Sequence, residues 1–470
     1  MIRPISYLKI SVLCLMLLNG VYAQKSNQWT IMHYAVGSNS SEIDLLEDVK
    51  EMIAGKISDD YELILLIDRT EGHSDDSIAL GENFTDTRMY RIANGTYEEL
   101  NGGQLLPEIT KDSNVDLNMA DANVLKRFIQ FSKAQFPAKH YMLIMRSHGN
   151  GLGMCPDSES GIMDRLYPGE MSDILTKEES VDILGLDVCS MAGLENMYEW
   201  RPGTSKFSAD YIISSAPLSA AWAYDQMLGR LTHEKGVELD QKYFTNGDEE
   251  YLNPNTMTPL EFATMTMEEI YDSQRWASWG LFDNSKIQKT KSYIDKLSMN
   301  LVKESKQEVY ETIEKSLGYH HNTHNSEEVS LLTFPYIDAY DFFERIATND
   351  ELGKDTRSVA KKVCESLDEL VLLSYYGRGY FPQAEFTDGR NGVYLVLPVG
   401  QRIFSGSNAN FWSHTGWFHP KDRQSIGNAY GMYDWCNNGA IEGNQVIENF
   451  FEYLDFLFEK EGEDVNGYQW

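Results

Sequence analysis

The sequence predicts an α/β protein: a mainly parallel sheet with helices on both faces, followed by a mixed helical C-terminal part. Three observations carry this. Apolar runs read as strands at Trp29–Ala35, Glu62–Ile67, Tyr141–Met145, Val181–Leu186 and Tyr211–Ser214. Between several of them lie stretches with helical periodicity. Two of the runs stop at reactive side chains, His148 and, 41 residues later, Cys189. In open α/β sheets, ligands and chemistry collect at the carboxyl ends of strands.

The elements follow in order. The first strand ends at the turn-forming run Gly37-Ser38-Asn39-Ser40-Ser41, and Leu45, Leu46, Val49 and Ile53 then mark one face of a helix. Thr70–Thr87 is polar and reads as a loop, and Arg88–Ile92 reads as a short edge strand. Asn118–Phe136 predicts a helix that buries Leu125, Phe128 and Ile129. The long segment Leu152–Ser180 separates the histidine and cysteine strands, and a helix is expected from Ala192 to Glu199. Beyond residue 255, helical patterns cover Pro259–Leu317, with a break at Trp279–Asp283, and Tyr336–Leu373. Gly392–Pro398 reads as an isolated strand. Val446–Phe458 reads as a helix whose stripe of Phe450, Phe451, Leu454 and Phe458 is a buried face rather than a ligand site. The expected organisation is a signal peptide at 1–23, a catalytic domain at 24–254, and a region at 255–470 that packs on that domain or completes it.

The first 23 residues carry the marks of export: Arg3 and Lys9, the apolar run Ile10–Leu18, and Val21-Tyr22-Ala23 before Gln24. Cys14 lies inside the apolar run, where a lipid anchor would not use it. The expected destination is the periplasm, the cell surface or the medium, and no later stretch suggests a membrane span. Forty basic against 72 acidic residues give a net charge of −32, without the basic stripe that nucleic acid requires. Cys155, Cys189, Cys364 and Cys436 are too few for a disulfide scaffold, although one bridge is possible. Cys-x-x-Cys spacing is absent, and His320, His321 and His324 sit in a polar, loop-like stretch, so no metal site is expected. The chain is expected to be a monomer.

A lone strand-end cysteine is commonly an inert small hydrophobe, and a lone histidine a hydrogen-bonded surface group. Paired at neighbouring strand ends, they would form a cysteine-nucleophile dyad. Gly149 and Gly151 allow a sharp turn and a close approach to substrate. Asp187, two residues before Cys189, faces the same side of its strand. It could orient the histidine or line a pocket for a cationic side chain. The helix after Cys189 would point its amino terminus at the thiol.

Taken together, Trp29-Thr30-Ile31-Met32-His33-Tyr34, Pro137–Tyr141 with Ser147-His148-Gly149-Asn150-Gly151, Asp187-Val188-Cys189-Ser190-Met191-Ala192-Gly193 and the late strand ending at Pro398 resemble the clostripain family of cysteine endopeptidases, relatives of gingipains, legumains and caspases. The resemblance implies a caspase–hemoglobinase-like fold. It implies Cys189 as nucleophile, His148 as acid–base partner, and the amides of Gly149 and Cys189 as the oxyanion hole. It also implies Asp187 in the primary specificity pocket, selecting Arg or Lys before the scissile bond. Ser214-Ser215-Ala216 stands where relatives often carry a second acid, which weakens that expectation; Ser215, Trp222 and Asp225 complete the expected pocket. Relatives are often activated by self-cleavage after a basic residue, for which Arg165 and Lys177 are the candidates, and some need calcium; no other cofactor is implied. Alternatives are a binding protein on the same fold with little or no turnover, and a thiol amidase acting on non-protein amides.

Overall fold

In the computed structural model, the described residues are 27–111, 114–157, 164–216, 219, 221–232, 251–273, 277–318, 336–375, 390–397, 433–439 and 446–458. The expected signal peptide and the 320–324 histidine cluster lie outside them.

Five strands form a parallel centre: β1 (Asn27–Gly37), β2 (Glu62–Arg69), β5 (Ala138–Arg146), β8 (Val181–Asp187) and β9 (Ala209–Ser215). The sheet extends to nine strands in the order β12-β10-β9-β8-β5-β1-β2-β3-β4. Its flanking strands β3 (Thr87–Ala93), β4 (Thr96–Glu99), β10 (Trp279–Asp283) and β12 (Val371–Tyr375) are antiparallel to their neighbours. Because β10 and β12 come from the C-terminal half, the region beyond residue 255 completes the sheet.

Side chains alternate across the strands, and each face feeds its own core. Met32, Tyr34, Ile64, Leu66, Leu143, Met145, Leu184 and Leu186 pack on one face. Trp29, Ile31, Leu63, Leu65, Met142, Ile144 and Ile183 pack on the other. The second face is covered by α1 (Glu42–Gly55), α5 (Tyr224–Gly229) and α6 (Pro259–Ser273), through Leu45, Val49, Met227 and Phe262. The first is covered by α2 (Ala122–Gln135), α7 (Ile287–Leu301) and the helix Lys354–Leu370, through Phe128, Ile294 and Leu367. Asp121 starts α2 by accepting a hydrogen bond from Asn123 N, so this helix begins four residues later than the sequence suggests.

Four readings are corrected. Arg88–Ile92 is not an edge strand, because β4 pairs outside it. The break at Trp279–Asp283 is β10 itself. Tyr336–Leu373 is not wholly helical: it opens with the strand β11 (Tyr336–Asp338) and runs into β12. The late strand, β13 (Tyr394–Val396), is not isolated but pairs with β11. The possible disulfide is also absent among the described cysteines. No described helix is long and apolar enough to cross a membrane.

Gly185 on β8 admits the ring of Trp222. A Cβ there would meet the indole Cη2 at 2.6 Å, and Trp222 is itself wedged edge-on against Trp279. Gly185→Ala is therefore expected to destabilise the fold by about 1–3 kcal/mol through overpacking. An unchanged urea midpoint would contradict that fit.

Candidate active site

β5 and β8 are parallel neighbours, so their carboxyl ends deliver His148 and Cys189 to one edge of the sheet. The turn after β1, which pairs with β5, arrives at the same edge. The cleft formed there has a volume of about 620 Å³, and both His148 and Cys189 line it.

Close backbone approach fixes the two turns together. A Cβ on Gly149 would lie 2.3 Å from the carbonyl oxygen of Cys189, so only glycine lets the histidine turn rest on the nucleophile turn. The hydrogen bonds flanking Gly149 run from Asn150 N to Gly153 O (3.0 Å) and from Cys155 N to His148 O (2.9 Å), which leaves the Gly149 amide outside that ladder. Ser190, directly after the nucleophile, has φ 60°, the left-handed region a non-glycine residue seldom occupies. Ser215 supports this bend: its Oγ accepts from Ser190 N at 3.2 Å and donates to Val188 O at 3.2 Å.

A second brace comes from the end of the chain. The Tyr394 hydroxyl of β13 lies 2.9 Å from Gly151 O and 2.7 Å from Ser190 O, bridging the histidine and cysteine turns. Asn196 Nδ2 joins the same cluster, 2.9 Å from Gly151 O.

The reactive groups themselves have other partners. His148 is exposed, and its Nε2 lies 2.9 Å from Ser40 Oγ. The Cys189 sulfur accepts from Ser219 N at 3.4 Å. Burial lowers the pKa of His148, with Arg146 and Arg165 adding to the effect and Asp44 opposing it. The neutral imidazole, able to accept a proton, is thereby favoured. The helix after the nucleophile is only six residues long, α4 (Leu194–Glu199), and Ser190–Gly193 separate it from the thiol. Its dipole is therefore not aimed at Cys189 as the sequence suggested, since such effects fade within a turn.

The expected pocket residues mostly lie elsewhere. Asp187 is 1% exposed and absent from the cleft wall. It accepts from Tyr224 OH at 2.9 Å and Trp222 N at 3.3 Å, and lies 3.3 Å from Arg146 Nε. Burial raises its pKa, and Arg146 pulls it back. Trp222 is core packing, Ser215 supports the turn, and Asp225 caps Gln226 on α5. The depth of Asp187 has a simple cause: it is the last residue of β8 and still lies within the sheet, whereas Cys189 lies beyond it.

The two cleavage candidates are separated. Arg165, on β7 (Asp164–Leu166), lines the cleft. Lys177 precedes β8 at the opposite edge, seven strand residues away, roughly 23 Å at the usual rise.

Sequence reasoning missed the contribution of the β1–α1 turn. Besides Ser40, Asn39 Nδ2 contacts Ser147 Oγ (3.1 Å) and Pro156 O (2.9 Å), tying that turn to the histidine loop. Asp44, in the first turn of α1, supplies the one carboxylate of the cleft wall among the described residues. The signal was present in the polar run after the first parallel strand, which read only as a turn. Among the described residues, no group of three or more His, Cys, Asp or Glu side chains is arranged to hold a metal.

A thiol and an imidazole at adjacent strand ends of a parallel sheet, lining one cleft, are the arrangement of a thiol hydrolase of the α/β class. The clostripain family model matches residues 33–442. Clostripain from Hathewaya histolytica is 32% identical over 480 residues, covering 95% of this chain and 90% of that one. The chain belongs to the clostripain family and is a cysteine peptidase. Two solved structures share the fold. A secreted C11 cysteine protease from Bacteroides thetaiotaomicron, in complex with an irreversible peptide inhibitor, has a TM-score of 0.51 and 15% identity, covering 87% of this chain and 98% of that one. An inactive zymogen C11 protease from Parabacteroides distasonis has a TM-score of 0.51 and 14% identity, covering 88% and 98%.

The charges around His148 set a pH test. Asp44 raises the imidazole pKa, so Asp44→Asn should move the histidine limb of the kcat/KM profile to lower pH. The shift should shrink in 1 M salt because the group is exposed. A shift to higher pH would refute the assignment.

Proposed function

We propose that the chain is an exported cysteine endopeptidase in which Cys189 attacks the peptide carbonyl and His148 moves the protons. The observation that carries this is the presence of both groups in one cleft, locked by the contact of Gly149 with the Cys189 carbonyl. The thiolate sulfur forms a bond to the carbonyl carbon, and the oxygen takes the charge. The amides of Gly149 and Cys189 would stabilise that oxyanion, a contribution typically worth about 10²–10³ in rate per donor. The C–N bond then breaks as the imidazolium of His148 gives its proton to the leaving amine. Water, deprotonated by the same imidazole, hydrolyses the thioester and restores the thiol.

At rest, Ser40 occupies Nε2. Productive binding requires the ring to exchange that partner for the substrate nitrogen, in keeping with the looser geometry of unliganded sites. These steps are written for the chain's own thiol, imidazole and backbone amides. Export rests on the leader-like first 23 residues, and the solved relative from B. thetaiotaomicron is a secreted protein.

A preference for Arg or Lys would need a carboxylate free to receive a substrate cation, and Asp187 is held by Arg146. Self-cleavage would have to use Arg165, the candidate within reach. Its neighbour Leu166 is fully buried and paired with Met154, so the bond following Arg165 is not presented as an accessible segment. The chain is therefore proposed to act uncut.

Wild-type protein should hydrolyse an unfolded protein substrate, while Cys189→Ala should lose at least 10³-fold of that activity. N-terminal sequencing of the active wild-type protein should find no new terminus between His148 and Cys189. Equal turnover by both proteins would remove the endopeptidase reading, and activity only after a cut in that segment would remove the uncut one.

A further inference from the structure

Beneath the cleft, Arg146 stands opposite Asp187 in the pairing of β5 with β8. Its Nε lies 2.6 Å from Asp48 Oδ2 on α1 and 3.3 Å from Asp187 Oδ2. Arg146 is 6% exposed, yet it forms part of the cleft wall. Two carboxylates converging on one guanidinium beside a peptidase nucleophile resemble the way a pocket would hold a substrate arginine. Here the cation belongs to the enzyme.

We propose that Arg146 is a specificity-determining residue. It occupies the Asp48–Asp187 pair from within, and the enzyme cleaves after uncharged residues rather than after Arg or Lys. The inference rests on the endopeptidase reading above.

Three features exclude a cation. A substrate guanidinium would have to displace one that is covalently part of the strand and already ordered, so the internal group competes without an entropy cost of association. If Arg146 stayed in place, the carboxylate oxygens that a substrate cation needs would remain engaged by its guanidinium. The remainder of the described wall is no more welcoming, because Arg165 and His73 face the same cleft. Asp44 is the opposing carboxylate, and it is exposed and screened by solvent.

An anion gains little either, since Asp48 and Asp187 already offset the charge of Arg146. What remains is a lining of hydroxyls and amides, Ser38, Asn39, Ser40, Ser147 and Ser219, suited to small or medium uncharged side chains. Arg146 does not touch the reacting atoms in this scheme; it acts by deciding which side chain fits.

The full-length enzyme can be assayed with fluorogenic peptides differing only in the residue before the scissile bond: Arg, Lys, Glu, Gln and Ala. The expected result is kcat/KM at least tenfold higher for Gln or Ala than for Arg, Lys or Glu. Equal or faster cleavage after any charged residue would overturn the proposal without any variant being needed. Arg146→Met vacates the carboxylate pair and should raise the Arg-to-Gln ratio tenfold or more, with KM for the Arg peptide falling. An unchanged ratio in a variant whose Cys189 still titrates with an alkylating agent would also overturn it. Digestion of an unfolded protein, with new C-termini read by mass spectrometry, separates the two claims. Products ending in Arg or Lys sink this inference alone, whereas an absence of Cys189-dependent products sinks the endopeptidase reading and this inference with it.

Discussion

The pairing of Arg146 with Asp187, with Asp48 of α1 closing the cluster, is the interaction on which the catalytic edge depends. It joins the last residue of the histidine strand to the last residue of the cysteine strand, at the point where both chains leave the sheet. The adjoining groups are conditioned by it. His33, fully buried and edge-on to Tyr224, has its pKa lowered to about 3 by burial and by Arg146. Tyr224 holds Asp187 from α5. A buried ion cluster of this kind is a poor source of net stability, because desolvation offsets most of the attraction. Its value is positional: losing one partner would strand a buried charge at a cost of about 3–5 kcal/mol.

Above that layer, the reactive groups are held by backbone rather than by side-chain bonds to each other. Gly149 against the Cys189 carbonyl sets the separation of the two turns, and the strained Ser190 sets the direction of the second. Neither turn could hold its conformation alone. Ser215 clamps the nucleophile bend from the next strand, and Tyr394 ties both turns to a strand more than 200 residues away. The dyad thus depends on the register of four parallel strands and on one tyrosine hydroxyl.

Much of this was legible in the sequence, for identifiable reasons. Parallel strands buried on both faces appear as unbroken apolar runs, so β1, β2, β5 and β8 could be placed, and their ends located His148 and Cys189. The alternation that predicted Asp187 on the same side as Cys189 gives direction and not depth. Asp187 sits inside the sheet edge, and the two-residue step was enough to bury it. Arg146 carried no signal of its own, because its partner Asp48 lies on a helix about a hundred residues earlier. Ser40 was hidden in a run that reads only as a turn. The short strands β11 and β12 were absorbed into adjacent helical patterns, since three to five apolar residues fit either period.

The placement of Tyr394 also imposes an order in time. The chain is made from its amino terminus, and the strands bearing His148 and Cys189 emerge long before β13. Until Tyr394 arrives, the carbonyls of Gly151 and Ser190 lack the hydroxyl that joins them, and Gly193 lacks its parallel partner on β13. The nascent chain can pair its central strands without assembling the edge that cuts peptides. The last brace of the site is thus supplied by a residue more than 200 positions after either of the turns it joins.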